Sequence, residues 1–194
     1  MFTIAVIGPV EVRRDDGAVR IPAGKTAELL VRLALEAGEL VSSDRLIEDL
    51  WATDGLQTRR NTLQSKVVKL RRALGDPAVV DSRDGGYRLV VDRSHVDALA
   101  AIDGAAAARD AHAAGDDRRA VELCASMLAR FGSDPLVGAG DGAWAAPYRA
   151  RLDATRRQLI ETWCAARLRL GAPSAVIGTS RRPSPSIRST NPCG

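Results

Sequence analysis

QTRRNTLQSKVVKLRRAL, residues 57–74, decides how the rest of the chain is read. Leu63, Val67, Leu70 and Leu74 recur at i, i+4, i+7 and i+11; at about 3.6 residues per turn they form one apolar stripe on a helix. The other faces are basic. They carry Arg59, Arg60, Lys66, Lys69, Arg71 and Arg72, with no Asp or Glu in the segment. A solvated helix ordinarily mixes signs, so that opposite charges one turn apart support it. Here that support is given up to concentrate positive charge, which suits a polyanion.

The flanking segments narrow the fold. Residues 2–7 read as a buried strand, 10–13 as a second, and Asp15, Asp16 and Gly17 as the turn into a third at 19–21, a small antiparallel meander. Ala27, Leu30, Val31, Ala34 and Leu35 lie at helical spacing within residues 24–37, and Gly38 stops that helix. Gly24, Lys25 and Thr26 look like the end of a phosphate-binding loop, but the earlier glycine that such a loop needs is replaced by Val19. The tripeptide therefore reads as a helix start.

Residues 39–41 suit a short strand, and Ser42 and Ser43 offer an N-cap for a second helix over 44–51, with Asp44 in the turn where the dipole favours an anion. Leu46, Ile47, Leu50 and Trp51 form its apolar face, the tryptophan reading as a core plug. Asp54 and Gly55 break that helix, and Thr58 is expected to cap the basic one. After Leu74, the run Gly75, Asp76 and Pro77 is a stop signal. Two strands are then expected, over 79–82 and 87–91, joined through Arg83, Asp84, Gly85 and Gly86. A basic helix followed by a hairpin with Arg83 near its tip and Arg88 on its second strand is a winged helix-turn-helix arrangement. The helix fits a major groove, while the hairpin reaches phosphates or the neighbouring minor groove.

Past residues 92–95 the chain becomes alanine-rich and helical. One helix is expected over 96–114, ended by Gly115, and another over 118–131, opened by Asp116 and Asp117, with Val121, Cys124, Ala125, Leu128 and Phe131 on one face. Two antiparallel helices joined at a glycine form the unit of a TPR-like helical-hairpin repeat. Trp144, Tyr148, Leu152, Leu159, Trp163, Ala166 and Leu170 are spaced for one long helix after a loop over 132–142.

Composition sets the outer limits. With 194 residues, 45% of them hydrophobic, the chain can bury one or two modest cores, and its net charge of +4 is compatible with a nucleic-acid partner. No apolar run reaches the roughly 18 residues of a membrane span, and the N-terminus MFTIAVIGPVEV lacks the features of a signal peptide. A soluble, cytoplasmic protein with no membrane partner is expected. Cys124, Cys164 and Cys193 read as reduced thiols, the first two as buried small hydrophobes, and His95 and His112 stand isolated. With no paired carboxylates, no Ser/His/Asp set and no metal spacing, an enzyme is not expected, nor a cofactor, metal or small-molecule ligand.

The order of meander, two helices, basic helix and glycine hairpin resembles the OmpR/PhoB-type winged helix. It is similar, more specifically, to the SARP family of pathway-specific transcriptional activators, through IGPVEV (7–12), VSSDRLIEDLW (41–51), NTLQSKVVKLRRAL (61–74) and GGYRL (85–89). The segment DGAWAAPYRARLDATRRQLIE resembles the bacterial transcriptional activation domain that follows the winged helix in such regulators. The resemblance implies an α+β winged-helix DNA-binding domain over 1–93 and a partial all-α, TPR-like activation domain over 94–177. It also implies sequence-specific binding to promoter repeats in double-stranded DNA, with transcriptional activation as the output and RNA polymerase or a second protomer as a further partner. Lys66 and Lys69 then fall where groove-facing residues are expected, with Asn61, Thr62 and Gln64 nearer the backbone, and Arg71 and Arg72 meet phosphates. Arg59, Arg60, Ser65, Val68, Arg83 and Arg88 complete the implied DNA-binding set. Lys66 and Val68 depart from the residues often found at these places, and Val68 suits either a thymine methyl or an idle solvated face. An alternative is a helical protein-interaction module on which the winged helix is merely a scaffold, or an inactive truncated fragment with only non-specific DNA binding.

From Gly178 onward, GTSRRPSPSIRSTNPCG has no periodicity and the composition of a disordered tail. Back-translated and read in a shifted frame, its degenerate codons permit ALAEHPLDEPLR, similar to a further helix of the same activation domain. The expectation is a frameshift near residues 178–180, which would leave a helical face uncovered and the second half marginal or dependent on a partner. No receiver domain precedes the winged helix, so control through phosphorylation of such a domain is not expected.

Overall fold

The computed structural model describes residues 1–51, 56–132 and 135–171, without the side chains of residues 56–59. Thr58 as a cap, Arg59 as a contact, the breakers Asp54 and Gly55, Cys193 and the whole tail from 178 lie outside the described residues or side chains.

The chain opens with an antiparallel meander of β1 (Phe2–Ala5), β2 (Glu11–Arg14) and β3 (Gly17–Val19). Arg14 pairs with Gly17, so the turn is only Asp15 and Asp16, and β3 starts two residues earlier than the spacing suggested. Helix α1 (Lys25–Ala34) follows, buried nearly all round through Leu29, Leu30, Val31, Leu33 and Ala34. Lys25 pairs with Glu28 at 2.7 Å and Thr26 is buried, so both serve the helix start. The regular helix stops at Ala34 and continues as turns to Gly38, whose φ of 88° is the left-handed conformation expected after a helix end. The Gly38 N–H donates to the Leu89 carbonyl at 2.9 Å, tying that end to the second sheet.

Strand β4 (Val41–Ser42) runs directly into α2 (Ser43–Leu50). Ser42 caps it as the serine pair indicated, its hydroxyl accepting from the Arg45 N–H at 3.2 Å. Leu46, Ile47 and Leu50 are buried and Trp51 packs against the same core at partial exposure. Helix α3 (Leu56–Leu74) contains the basic stretch and begins two residues before Thr58. The expected stripe is buried: Leu63, Val67, Leu70 and Leu74 are each at most 1% exposed. Each such side chain contributes about 1.5–3 kcal/mol on leaving water, which fixes the rotation of α3 about its axis.

After a short 3-10 turn at Pro77–Val79, β5 (Val80–Arg83) and β6 (Gly86–Leu89) form the hairpin, in the sheet order β4-β6-β5. Asp84 and Gly85 both have positive φ, 41° and 77°, as a two-residue primed turn requires. The Ser43 N–H donates to the Gly85 carbonyl at 2.8 Å, so the hairpin tip is pinned to the start of α2.

The helical half is a packed group of α4 (Asp97–Ala113), α5 (Asp117–Leu128) and α6 (Ala146–Arg169). Asp116 caps α5, accepting from the Arg119 N–H at 3.1 Å. The buried face of α5 is Asp117, Ala120 and Cys124, with Leu128 and Phe131 partly buried; Ala125 is exposed, a turn off the expected face. Burial pushes the Cys124 thiol up to about 11, and Cys164 is half-buried. The long helix starts at Ala146, with Trp144 in a 3-10 turn ahead of it, and buries Leu152, Leu159 and Ala166. Leu170, expected on that face, is 44% exposed because the helix has already ended at Arg169. His112 is not isolated: its Nδ1 lies 2.6 Å from Asp117 Oδ1, and Arg169 Nε lies 3.0 Å from the other oxygen of that carboxylate.

The two halves meet in one continuous core holding Ile4, Val6 and Leu29 together with Ala98, Leu99, Leu136, Ala145 and Leu152. Asp97 opens α4 and accepts from the N–H groups of Val6 at 2.8 Å, Ile7 at 3.2 Å and Ala98 at 2.7 Å. Burial raises the pKa of its carboxyl, and those three donors pull against the rise.

Candidate nucleic-acid interface

Burying one stripe of α3 dictates what the opposite side presents. Asn61, Gln64, Ser65, Val68, Lys69 and Arg72 are exposed there, flanked by half-buried Thr62 and Lys66. Val68 is 44% exposed, so it occupies the outward surface together with Lys69. Among the described residues, Lys66, Lys69 and Arg72 have no ion-pair or hydrogen-bond partner.

Arg60 and Arg71 are already paired within the fold. Arg60 Nη2 lies 3.1 Å from Asp44 Oδ1 at the start of α2, with both side chains exposed. Arg71, expected to meet phosphates, instead points along the flank of α3 to the wing. Its Nε and Nη2 donate to the Val80 carbonyl at 2.9 and 2.6 Å, and Nη2 also reaches the Ser82 hydroxyl at 2.7 Å. Successive helical residues are about 100° apart, so Arg71 faces β5 while Arg72 faces solvent.

In the wing, Asp81 stands opposite Arg88 in the β5–β6 register. Its Oδ2 lies 3.0 Å from Arg88 Nη2 and 2.8 Å from Arg83 Nε, so one carboxylate serves both arginines. Desolvation acts to raise the Asp81 pKa, but the hydrogen bonds and charges of Arg88 and Arg83 outweigh it and hold the carboxyl below its usual value. Arg88 Nε is buried without a partner, whereas Arg83 is well exposed near the turn. Neighbouring elements thus supply an acidic partner to Arg60, through Asp44, and to the wing arginines, through Asp81. Asp81 was legible only through the hairpin register.

A cleft of about 310 Å³ lies where α2, α3 and the wing converge, lined by Ser43, Asp44, Arg60, Gln64, Gly85 and Tyr87. It is continuous with the exposed side of α3. Among the described residues, no helix is long and apolar enough to cross a membrane.

Comparison with known proteins accounts for both halves. Residues 22–89 match the family described as transcriptional regulatory protein, C terminal, and residues 96–183 match the bacterial transcriptional activator domain. The regulatory protein AfsR of Streptomyces griseus is 31% identical across 89% of this chain, which spans 18% of that protein. Transcriptional regulator RedD of Streptomyces coelicolor is 29% identical across 90% of the chain and 51% of its own length. Regulatory protein DnrI of Streptomyces peucetius is 28% identical across 90% of the chain and 68% of its own length. The chain therefore spans about half of RedD and far less of AfsR. Among solved structures, EmbR of Mycobacterium tuberculosis, in complex with a low-affinity phosphopeptide, superposes with a TM-score of 0.84 at 25% identity, over 91% of this chain and 48% of that one. These families describe transcription regulators and not enzymes. With a winged helix followed by an activator-type helical half in one chain, matched in that order by both families, this chain has the domain architecture of a SARP-type transcriptional regulator.

Proposed function

We propose that the chain binds double-stranded DNA sequence-specifically and acts as a transcriptional activator, with α3 in the major groove and the wing against the adjoining backbone or minor groove. The observation that carries this is the outward surface of α3, where Lys66, Lys69 and Arg72 have no partner among the described residues, on a helix without a single acidic residue. Lysines and arginines so placed seat on phosphates and fix the register. Asn61, Gln64, Ser65 and Val68, exposed between them, are the groups available for base edges and thymine methyls. Arg83 reaches the duplex from the wing. Arg60 does so from beside α2, and Arg59 joins them at the start of the helix. Arg71 and Arg88 hold the wing.

The helical half contacts RNA polymerase or a second protomer, and the protein works in the cytoplasm, where its DNA is. Promoter repeats are its targets.

Selection of bound sites from random duplex DNA with the full chain tests this. An enriched repeated motif, bound more tightly than unselected duplex, is the expected outcome. Recovery of unenriched DNA, or no binding at low salt, would overturn it.

A further inference from the structure

Arg32 lies in the middle of α1 and is only 1% exposed. Its Nε donates to Asp49 Oδ2 on α2 at 2.6 Å, and its Nη1 lies 3.0 Å from Glu36 Oε1 in the turn just past the end of α1, a charge contact without hydrogen-bond alignment. The helical half closes the site. The guanidinium carbon lies 5.9 Å from the Trp144 ring centre and 5.6 Å from that of Tyr148, and these rings meet edge to face at 6.2 Å. The Tyr148 hydroxyl donates to Glu36, the same oxygen that Arg32 faces. One cluster therefore joins α1, α2 and the start of the helical half.

The consequence runs through α2. This helix has eight residues and packs Leu46, Ile47 and Leu50 into the core that holds Leu63 and Val67 of α3. Its polar anchor to α1 is Asp49. A buried guanidinium stays charged and is stable there only while partners compensate it, and the aromatic rings that exclude water strengthen each of those contacts. Without them, water competes for Arg32, and Asp49 loses its fixed partner. The pose of α2, and with it that of α3, then has a wider range. Base readout depends on a fixed register, whereas phosphate attraction tolerates small shifts.

We propose that Arg32, Glu36, Asp49, Trp144 and Tyr148 form a positioning site, through which the helical half sets the pose of the recognition helix and raises sequence-specific DNA affinity without touching DNA. This rests on the DNA-binding reading above. The helical half is thus part of the readout machinery as well as an output surface.

The test uses the full chain and compares its affinity for the duplex selected by the unmodified protein with that for an unselected duplex, well below the unfolding temperature. Trp144→Ala and Tyr148→Ala are expected to weaken selected-site binding by about tenfold, within the range for coupling residues, and unselected binding by less than about twofold. Tyr148→Phe keeps the ring over Arg32 and should recover most of the loss. A merely structural role would lower the unfolding temperature and leave the ratio of the two affinities unchanged, and that result would overturn the proposal. If the alanine variants fail to fold, Glu36→Gln carries the test, since it keeps the shape and removes the shared charge. A selective loss of about threefold is then expected, and an unchanged ratio overturns the proposal. If the unmodified chain binds no duplex, the DNA-binding reading itself fails. If it binds and every folded variant keeps its ratio, only the positioning site does.

Discussion

Helix α3 carries six basic residues and the wing hairpin two, and they are used in opposite ways. On α3, Lys69 and Arg72 face outward with half-buried Lys66 at their flank, and none of the three has a partner among the described residues. In the wing, Arg83 and Arg88 share Asp81, and Arg71 of α3 is turned inward to hold β5. Counting basic residues therefore overstates the charge available to a polyanion. The helix presents charge for binding, while the wing uses much of its charge to hold a shape against the helix.

Four changes would break or sharpen that contrast. The largest effect is expected from Leu70→Ala, which removes a fully buried side chain from the stripe that orients α3. A loss of about 2–5 kcal/mol in denaturant unfolding should follow, and a loss under about 1 kcal/mol would mean that the stripe does not fix the helix. Arg71→Ala should cost about 1–3 kcal/mol of stability by leaving the Val80 carbonyl without its donor, yet leave the salt dependence of DNA binding unchanged. A shallower salt dependence would return Arg71 to the phosphate contacts.

Lys69→Ala should do the reverse. The expected outcome is an unchanged unfolding curve, with duplex affinity weakened by roughly 1 kcal/mol, or about fivefold, and a salt slope reduced by nearly one unit. Equal binding in an electrophoretic shift would remove Lys69 from the interface. The smallest effect is expected from Asp81→Asn, which frees the wing arginines and should steepen the salt slope by up to about one unit.

The same carboxylate has a pH signature. Its folded pKa lies below the unfolded value of about 4, so its contribution to stability is present above that pH and is lost as pH falls through the folded pKa. The Asn variant should therefore lose less stability than the parent on acidification below about pH 4. An identical acid response would show that the pairing does not contribute.

Much of this was legible in the sequence because the informative signals are local. The stripe on α3, the Ser42 cap, Gly38 and the Asp84–Gly85 turn each lie within a few residues of what they determine. The roles of individual arginines were not legible. Arg71 depends on where β5 lands, and Arg88 on a cross-strand register that places Asp81 opposite it. Arg32 sits among leucines on α1, with partners on α2 and α6 that no sequence periodicity connects. The boundary expected near residue 93 rests on a change in composition, whereas the continuous core across it comes from contacts such as Val6 to Asp97, remote in sequence.

The most direct test is the affinity of the full chain for duplex DNA, measured across a series of monovalent salt concentrations. Each phosphate contact contributes about −0.9 to the slope of log affinity against log salt, so Lys66, Lys69 and Arg72 alone give about −2.7, and Arg59, Arg60 and Arg83 can only steepen it. A slope at least that steep, reduced by Lys69→Ala but not by Arg71→Ala, is the expected result. Binding that does not change with salt would contradict the assignment of α3 as the surface that meets DNA.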